Sequence, residues 1–125
     1  MIPKEYRLKR MKDFEILFKE GWFVNDEFLT AKIWKITPEK YPKRDYKEDD
    51  LKIGFVVGLK VSKKAVDRNL LKRRMREVVR LLLADNKIRV GFMVALIAKP
   101  NMLGLDYKEI EASVLSVLKK GCLLK

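Results

Sequence analysis

Residues 51–86 read LKIGFVVGLKVSKKAVDRNLLKRRMREVVRLLLADN, and a change of period inside this stretch decides the fold. Leu51, Ile53, Phe55 and Val57 alternate with Lys52, Gly54, Val56 and Gly58 as far as Leu59, the period of two that sends successive side chains to opposite faces of a strand. The second set leaves an unusually smooth face. Beyond Ser62, a candidate N-cap, the period lengthens. At 100° per residue Leu71, Met75, Val78 and Leu82 fall on one stripe with Val79 at its margin, which predicts a helix over about Lys63–Leu83, ending near Asp85 and Asn86.

Downstream, Arg89–Ala98 is an apolar strand closed by Lys99 and Pro100. Asp106 then caps a last helix, in which Ile110, Val114, Val117 and Leu118 form the core stripe as far as Gly121. Upstream, Glu39–Asp50 is almost wholly polar and contains Pro42. It reads as an exposed loop between antiparallel strands, with its charges solvated. Phe28–Thr37, rich in β-branched and aromatic residues, is a strand stopped by Pro38, and Trp22–Val24 is a brief one. Met11, Phe14, Leu17 and Phe18 recur at helical steps up to Glu20, and Gly21 stands where a helix end calls for positive φ. Trp22, Trp34 and the methionines are assigned to the core. The order is αβββαβα. One helix crossing between the third and fourth strands implies an α+β two-layer sandwich, with helices on one side of a small sheet and the opposite face open.

Composition narrows the function. The 125 residues, 48% of them hydrophobic, suffice for a single domain spanning 1–125 with one sizeable core. With 29 Lys and Arg against 17 Asp and Glu the formal charge is +12, which fits a partner rich in phosphate, either nucleic acid or an anionic membrane. There is no histidine, so the commonest general base and the commonest metal ligand are both missing. Cys122 alone can build neither an intramolecular disulfide nor a zinc site, and a reducing compartment, the cytoplasm by default, is expected. Met1–Lys12 is charged from Lys4 onward and lacks the apolar core of a signal peptide, and no run approaches the roughly 18 apolar residues of a membrane span.

Between Lys60 and Arg80 there are nine basic residues and two acidic ones, Asp67 and Glu77. Asn69, Lys72, Arg73, Arg76 and Arg80 gather on the side of the helix away from its apolar stripe, and Lys63 and Lys64 stand at its entry. A charged outer face is most often simply solvated. Such a face usually mixes signs in i,i+4 pairs, however, whereas this one is almost uniformly positive. Arginine predominates on it, and the planar guanidinium fork suits phosphate oxygens. A membrane-surface helix is excluded because the apolar stripe is needed inside the fold, and a helix-turn-helix because a strand stands where its first helix would lie. RNA recognition is the better fit.

The segment Lys60–Glu77, KVSKKAVDRNLLKRRMRE, resembles the signature of the protein component of bacterial ribonuclease P. Ala65-Val66 lead, one residue later, into Arg68-Asn69, then Lys72-Arg73 and Arg76-Glu77. The likeness extends to Arg7-Leu8-Lys9, Asp13-Phe14, Phe18, Gly21, Ile53-Gly54, Val94–Pro100 and Tyr107–Leu118, so almost the whole chain is covered. The resemblance implies the accessory subunit of an RNA-dependent endonuclease that removes the 5′ leader of precursor tRNA. Its expected partners are the ribonuclease P RNA and precursor tRNA, with neither DNA nor membrane. Catalysis would rest on metal ions held by the RNA, so the protein itself is expected to have no catalytic residue, metal site or cofactor, and to meet Mg2+ only through the catalytic RNA. It also implies a left-handed βαβ crossover, as in the second domain of ribosomal protein S5.

Carried over residue by residue, the resemblance assigns Arg68, Asn69, Lys72, Arg73 and Arg76, with Arg80, Lys63 and Lys64 around them, to binding the RNA subunit. Leu70 replaces the third residue of the family's Arg-Asn-Arg, and the neighbouring Arg74 is the candidate to supply that contact. A leader-binding cleft is implied between the first helix and the open sheet face. Phe14 and Phe18 match its helix aromatics, the strand aromatic falls on Ala31, and Lys52 and Val56 floor it. Trp34, three residues from Ala31, points to the other face of a regular strand. Plain core packing is the alternative for Phe14 and Phe18. A ribosomal or assembly protein is the alternative for the whole chain, and the ordered Arg-Asn motif together with the first-helix pattern favours ribonuclease P.

Overall fold

The strand Phe92–Ala98 is apolar without interruption, so both faces of the sheet that contains it must be covered. The computed structural model, which describes residues 2–125, shows how. The elements are α1 (Met11–Glu20), β1 (Trp22–Asn25), β2 (Leu29–Lys35), β3 (Leu51–Val56), α2 (Ala65–Ala84), β4 (Phe92–Ala98) and α3 (Tyr107–Lys120). The sheet order is β1-β2-β4-β3, with β1/β2 and β2/β4 antiparallel and β3/β4 parallel. The α+β class and the element order are those expected. The β3-α2-β4 unit is the crossover that lays the basic helix on the sheet.

On one face Leu29, Ala31 and Ile33 of β2, Leu51 and Ile53 of β3, and Val94 and Leu96 of β4 pack against α2 and α3. Helix α3 contributes Ile110, Val114, Val117 and Leu118, all fully buried, each stabilising by roughly 1.5–3 kcal/mol relative to exposure. Its start is fixed by a capping box. The Asp106 carboxylate accepts from the Glu109 N–H at 2.8 Å, and the Glu109 carboxylate accepts from the Asp106 N–H at 3.2 Å.

The opposite face is not fully open. A second core of Leu8, Ile16, Leu17, Trp34, Ile36, Tyr46, Met93 and Ala95 places α1 there, so the helices do not all lie on one side. Loop 39–50, expected to be merely solvated, helps close this core with Tyr46, and Arg44 bonds Asp13 of α1 at 3.0 Å. Strands β2 and β3 flank β4 rather than each other, so the loop spans the sheet and has something to pack on.

Other local expectations change as well. Gly21 has φ −80°, not a positive value, and its need is steric, since a Cβ there would lie 2.6 Å from the Ile33 carbonyl oxygen and 2.7 Å from that of Leu17. Ser62 does not cap α2. Its hydroxyl accepts from the Lys64 N–H and donates to Asp67, making a turn ahead of the helix, whose N-cap is Lys64. Trp22 and Met11 are exposed rather than in the core, because β1 is an edge strand and Met11 opens α1 on its outer side.

Candidate nucleic-acid interface

Helix α2 buries Leu71, Met75, Val78 and Val79, with Leu82 half-buried, so the stripe centres slightly nearer Val79 than the wheel predicts. On the other side Asn69, Arg73 and Arg76 are exposed, Lys72 and Arg80 are half-buried, and Lys63 and Lys64 are exposed at the entry. Arg80 is already engaged in a fork with Glu77, Nη2 to Oε1 at 2.6 Å and Nε to Oε2 at 3.0 Å, and its hydrogen bonds hold the Glu77 carboxyl below the usual range. Arg76 donates through Nε to the Lys72 carbonyl at 3.3 Å. Arg68 is half-buried and donates to the Ser62 carbonyl at 2.9 Å, so it also staples the loop that enters the helix.

Arg74 does not replace the absent third arginine of the motif. It lies about 160° round the helix from Arg76 and donates to the Leu105 carbonyl at 2.8 Å, on the side toward the turn before α3. Leu70, half-buried, instead makes an apolar shelf with the exposed Val66, bordered by Asn69, Arg73 and Arg76. A cavity of about 220 Å3 carries the basic surface from Arg76 past Gly54 and Phe55 to Arg7 and Lys9, where the N-terminal segment bridges to β3 at Ile53.

The second surface lies where α1 crosses the sheet, and the strand registers resolve it into three rows. Lys52, Met93 and Trp34 form the first; Gly54, Ala95, Lys32 and Phe23 the second; Val56, Ile97, Thr30 and Asn25 the third. Helix α1 seats Ile16 and Leu17 in the core that holds Met93, Trp34 and Ala95, which leaves the third row least covered. Phe14 reaches the second row. Its Cζ would stand 2.9 Å from a Cβ on Gly54, so the smooth face of β3 is what admits the ring. Phe18, one turn on, is 42% exposed on the same side of the helix.

Of the other residues assigned to this cleft, Val56 is half-buried in the open third row. Lys52 lies two rows away and gives its ammonium to the Glu5 carbonyl at 2.7 Å. Ala31 is a correction: it is 0% exposed, on the face that meets α2 and α3, because Leu29 and Ile33 fix the parity of β2. Lys32 and Phe23 occupy the cleft side instead, and the sequence reading passed over both. The alternation of Leu29, Ala31 and Ile33 was the signal that would have found Lys32. Among the described residues no group of three or more carboxylates or thiols stands close enough to share a metal ion.

A sequence model of the ribonuclease P family matches residues 2–121. The chain belongs to the ribonuclease P protein family. The ribonuclease P protein component of Streptococcus pneumoniae is 38% identical to it over 122 residues, covering 94% of this chain and 85% of that one. The ribonuclease P protein of Thermotoga maritima superposes with a TM-score of 0.72 at 28% identity, covering 91% and 96% of the two chains. That of Staphylococcus aureus gives 0.78 at 24%, covering 98% and 100%, which speaks to the fold. As a ribonuclease P protein component the chain is part of an endoribonuclease that matures tRNA. The fold leaves two surfaces uncovered, the face of α2 that carries Asn69, Arg73 and Arg76 and the cleft beside α1.

Proposed function

We propose that the chain binds the RNA subunit of ribonuclease P through the cationic face of α2, and the single-stranded 5′ leader of precursor tRNA in the cleft beside α1. The observation that carries the reading is the division of α2. Leu71, Met75, Val78 and Val79 satisfy the core completely, while Asn69, Arg73 and Arg76 stand in solvent with no structural task that needs three such groups. Phosphate oxygens match these donors in charge and geometry.

In the cleft, Phe14 and Phe18 offer ring faces to unpaired bases, and Val56, Ile97 and Thr30 form a floor without a carboxylate to repel the backbone. Base stacking on an aromatic side chain is worth about 1–3 kcal/mol per base, enough for one or two rings to separate a substrate with a leader from a product without one. The protein side chains bind and orient. Divalent cations belong, on this reading, to the RNA subunit, and no proton transfer falls to this chain. No described helix is long and apolar enough to cross a membrane, and the cytoplasm, where precursor tRNA is found, is the proposed place of action.

The test is to add the purified chain to a bacterial ribonuclease P RNA at low magnesium and to score precursor-tRNA cleavage. Stimulation is expected, with RNA affinity that falls steeply as salt rises because phosphate neutralisation releases counterions. A chain that binds RNA yet never stimulates cleavage would return the reading to a ribosomal or assembly protein.

A further inference from the structure

We propose that Phe23 and Lys32 form a nucleotide platform at the β1 edge of the cleft, Phe23 stacking an unpaired base and Lys32 holding a neighbouring phosphate of single-stranded RNA. The proposal deepens the leader reading above and rests on it.

Lys32 is the anomaly that points there. Only 7% of it is exposed, and lysine is almost never buried so far unless it is paired. None of the ion pairs among the described residues includes it. Its ammonium rests instead on the ring of Phe23, 3.6 Å from the centroid, a cation–π contact that leaves the charge without a counter-anion. The stem therefore runs toward the β1 edge, away from Ala95 and from Gly54, over which the Phe14 ring lies.

Phe23 is the complementary oddity. It is 57% exposed on an edge strand of four residues, too short to need an aromatic for its own stability, yet its ring is held in place by the lysine. Direct cross-strand pairing with Lys32 puts it on the cleft side. The Thr30 hydroxyl donates to the Asn25 amide oxygen at 2.8 Å in the next row, which fixes the β1 edge on which the platform stands. From Gly54, beneath Phe14, to Phe23 the second row crosses three strand spacings, roughly 14 Å. One ring face carries the ammonium, and more than half of the residue is exposed to solvent. A base stacked at about 3.5 Å on the opposite face lies roughly 7 Å from Nζ, so its own or the adjoining phosphate falls to the lysine. The cation on the far side also polarises the ring toward an electron-rich base.

The test uses the holoenzyme reconstituted from this chain and a bacterial ribonuclease P RNA, with precursor and mature tRNA as ligands and circular dichroism and thermal melts as fold controls. Phe23→Leu is expected to lower the precursor-over-mature affinity ratio between about 5- and 150-fold, the range that loss of one stacked base corresponds to, and Phe23→Trp to keep it. Lys32→Met keeps the stem and removes the charge. It is expected to reduce the salt slope for precursor by about 0.7 and to leave that for mature tRNA unchanged, since one single-strand phosphate contact is lost. If Phe23→Leu discriminates as the parent does while the Phe14→Leu/Phe18→Leu chain does not, the platform is overturned and the cleft stands. If neither chain loses discrimination, the cleft reading falls as well. Should Lys32→Met destabilise the fold, the Phe23 pair of variants still decides.

Discussion

The phenol of Tyr46 donates a 2.6 Å hydrogen bond to Oδ1 of Asp13, a carboxylate in the first turn of α1 with almost no exposed surface. Arg44 and Arg10 complete its coordination at 3.0 and 2.9 Å. Burial raises the Asp13 carboxyl, but the hydrogen bonds from Tyr46, Arg44 and Arg10 outweigh it and hold the group below the usual carboxylate range. Burial, with the bond to Asp13, pushes the Tyr46 phenol up to about 12. The loop that Tyr46 belongs to therefore clamps the helix that carries Phe14 and Phe18. A second clamp lies at the other end of α1, where Lys40 and Tyr41 bond Glu20 at 2.7 and 2.6 Å.

Tyr46→Phe is accordingly expected to destabilise the chain by about 1.5–3 kcal/mol, the range for a hydrogen bond to a charged partner. The pH dependence carries the sign. Asp13 is depressed in the folded state, so its contribution is complete above the unfolded value near 3.8 and is lost as pH falls through the lower folded one. Tyr46 is raised, so its contribution is complete below about pH 10 and is lost as pH climbs toward 12. Urea melts of parent and variant from pH 2 to 11 should show a plateau difference that narrows at both ends. A difference that ignores pH would mean that the phenol contributes by packing alone.

Gly21→Ala is expected to destabilise by about 1–3 kcal/mol, as overpacking does, because the added methyl meets two backbone carbonyl oxygens rather than a movable side chain. Helix propensity alone predicts the opposite sign, since alanine suits a helix end in the ordinary φ range. A thermal melt of the single variant separates the two.

These two residues mark where the sequence stops being legible. Helix α3 could be read almost completely, because Asp106 and the stripe Ile110, Val114, Val117 and Leu118 are local signals that recur at helical steps, although the capping partner Glu109 was not read. The cationic face of α2 was legible for the same reason. The placement of α1 was not, since Asp13 and Tyr46 stand 33 positions apart and each reads locally as an ordinary polar residue. Gly21 was recognised as necessary but for the wrong cause, its constraint coming from Ile33 on another strand. Ala31 was misplaced because the resemblance aligned a residue type without its strand parity, and a shift of one position exchanges core for cleft.

On α2, Arg73→Ala and Arg76→Ala are expected to weaken assembly with the RNA subunit while leaving thermal stability within about 0.5 kcal/mol, since both side chains are exposed. Arg68→Ala is expected to weaken assembly and stability together, because it removes the bond to the Ser62 carbonyl. Arg74→Ala is the internal control. It should cost stability through the lost Leu105 contact and leave RNA affinity and its salt slope close to those of the parent. Filter binding at several salt concentrations, with melts alongside, distinguishes the four. A larger loss of affinity for Arg74→Ala than for Arg73→Ala would place the RNA on the other side of the helix.

Phe14 and Phe18 test the cleft itself. Replacing both with Leu keeps the side chains apolar and close in volume, so the packing beneath α1 survives, whereas Ala would open a cavity and confuse stability with binding. The rings alone are lost. Assembly with the RNA subunit should be unchanged, because neither ring lines the cationic face of α2 or the cavity that runs from Arg76 to Arg7 and Lys9. The precursor-over-mature affinity ratio should fall, because only the precursor offers an unpaired leader to stack. Gly54→Ala sharpens the experiment without touching either ring chemically. Its new methyl would sit 2.9 Å from Phe14 Cζ and 3.2 Å from two Leu8 atoms, so the ring must move to accommodate it. A cleft that depends on where Phe14 stands should therefore lose discrimination in Gly54→Ala as well. If both chains fold as the parent does and still separate precursor from mature tRNA equally well, the two rings serve only to cover Gly54 and the edge of the second core, and the leader binds elsewhere.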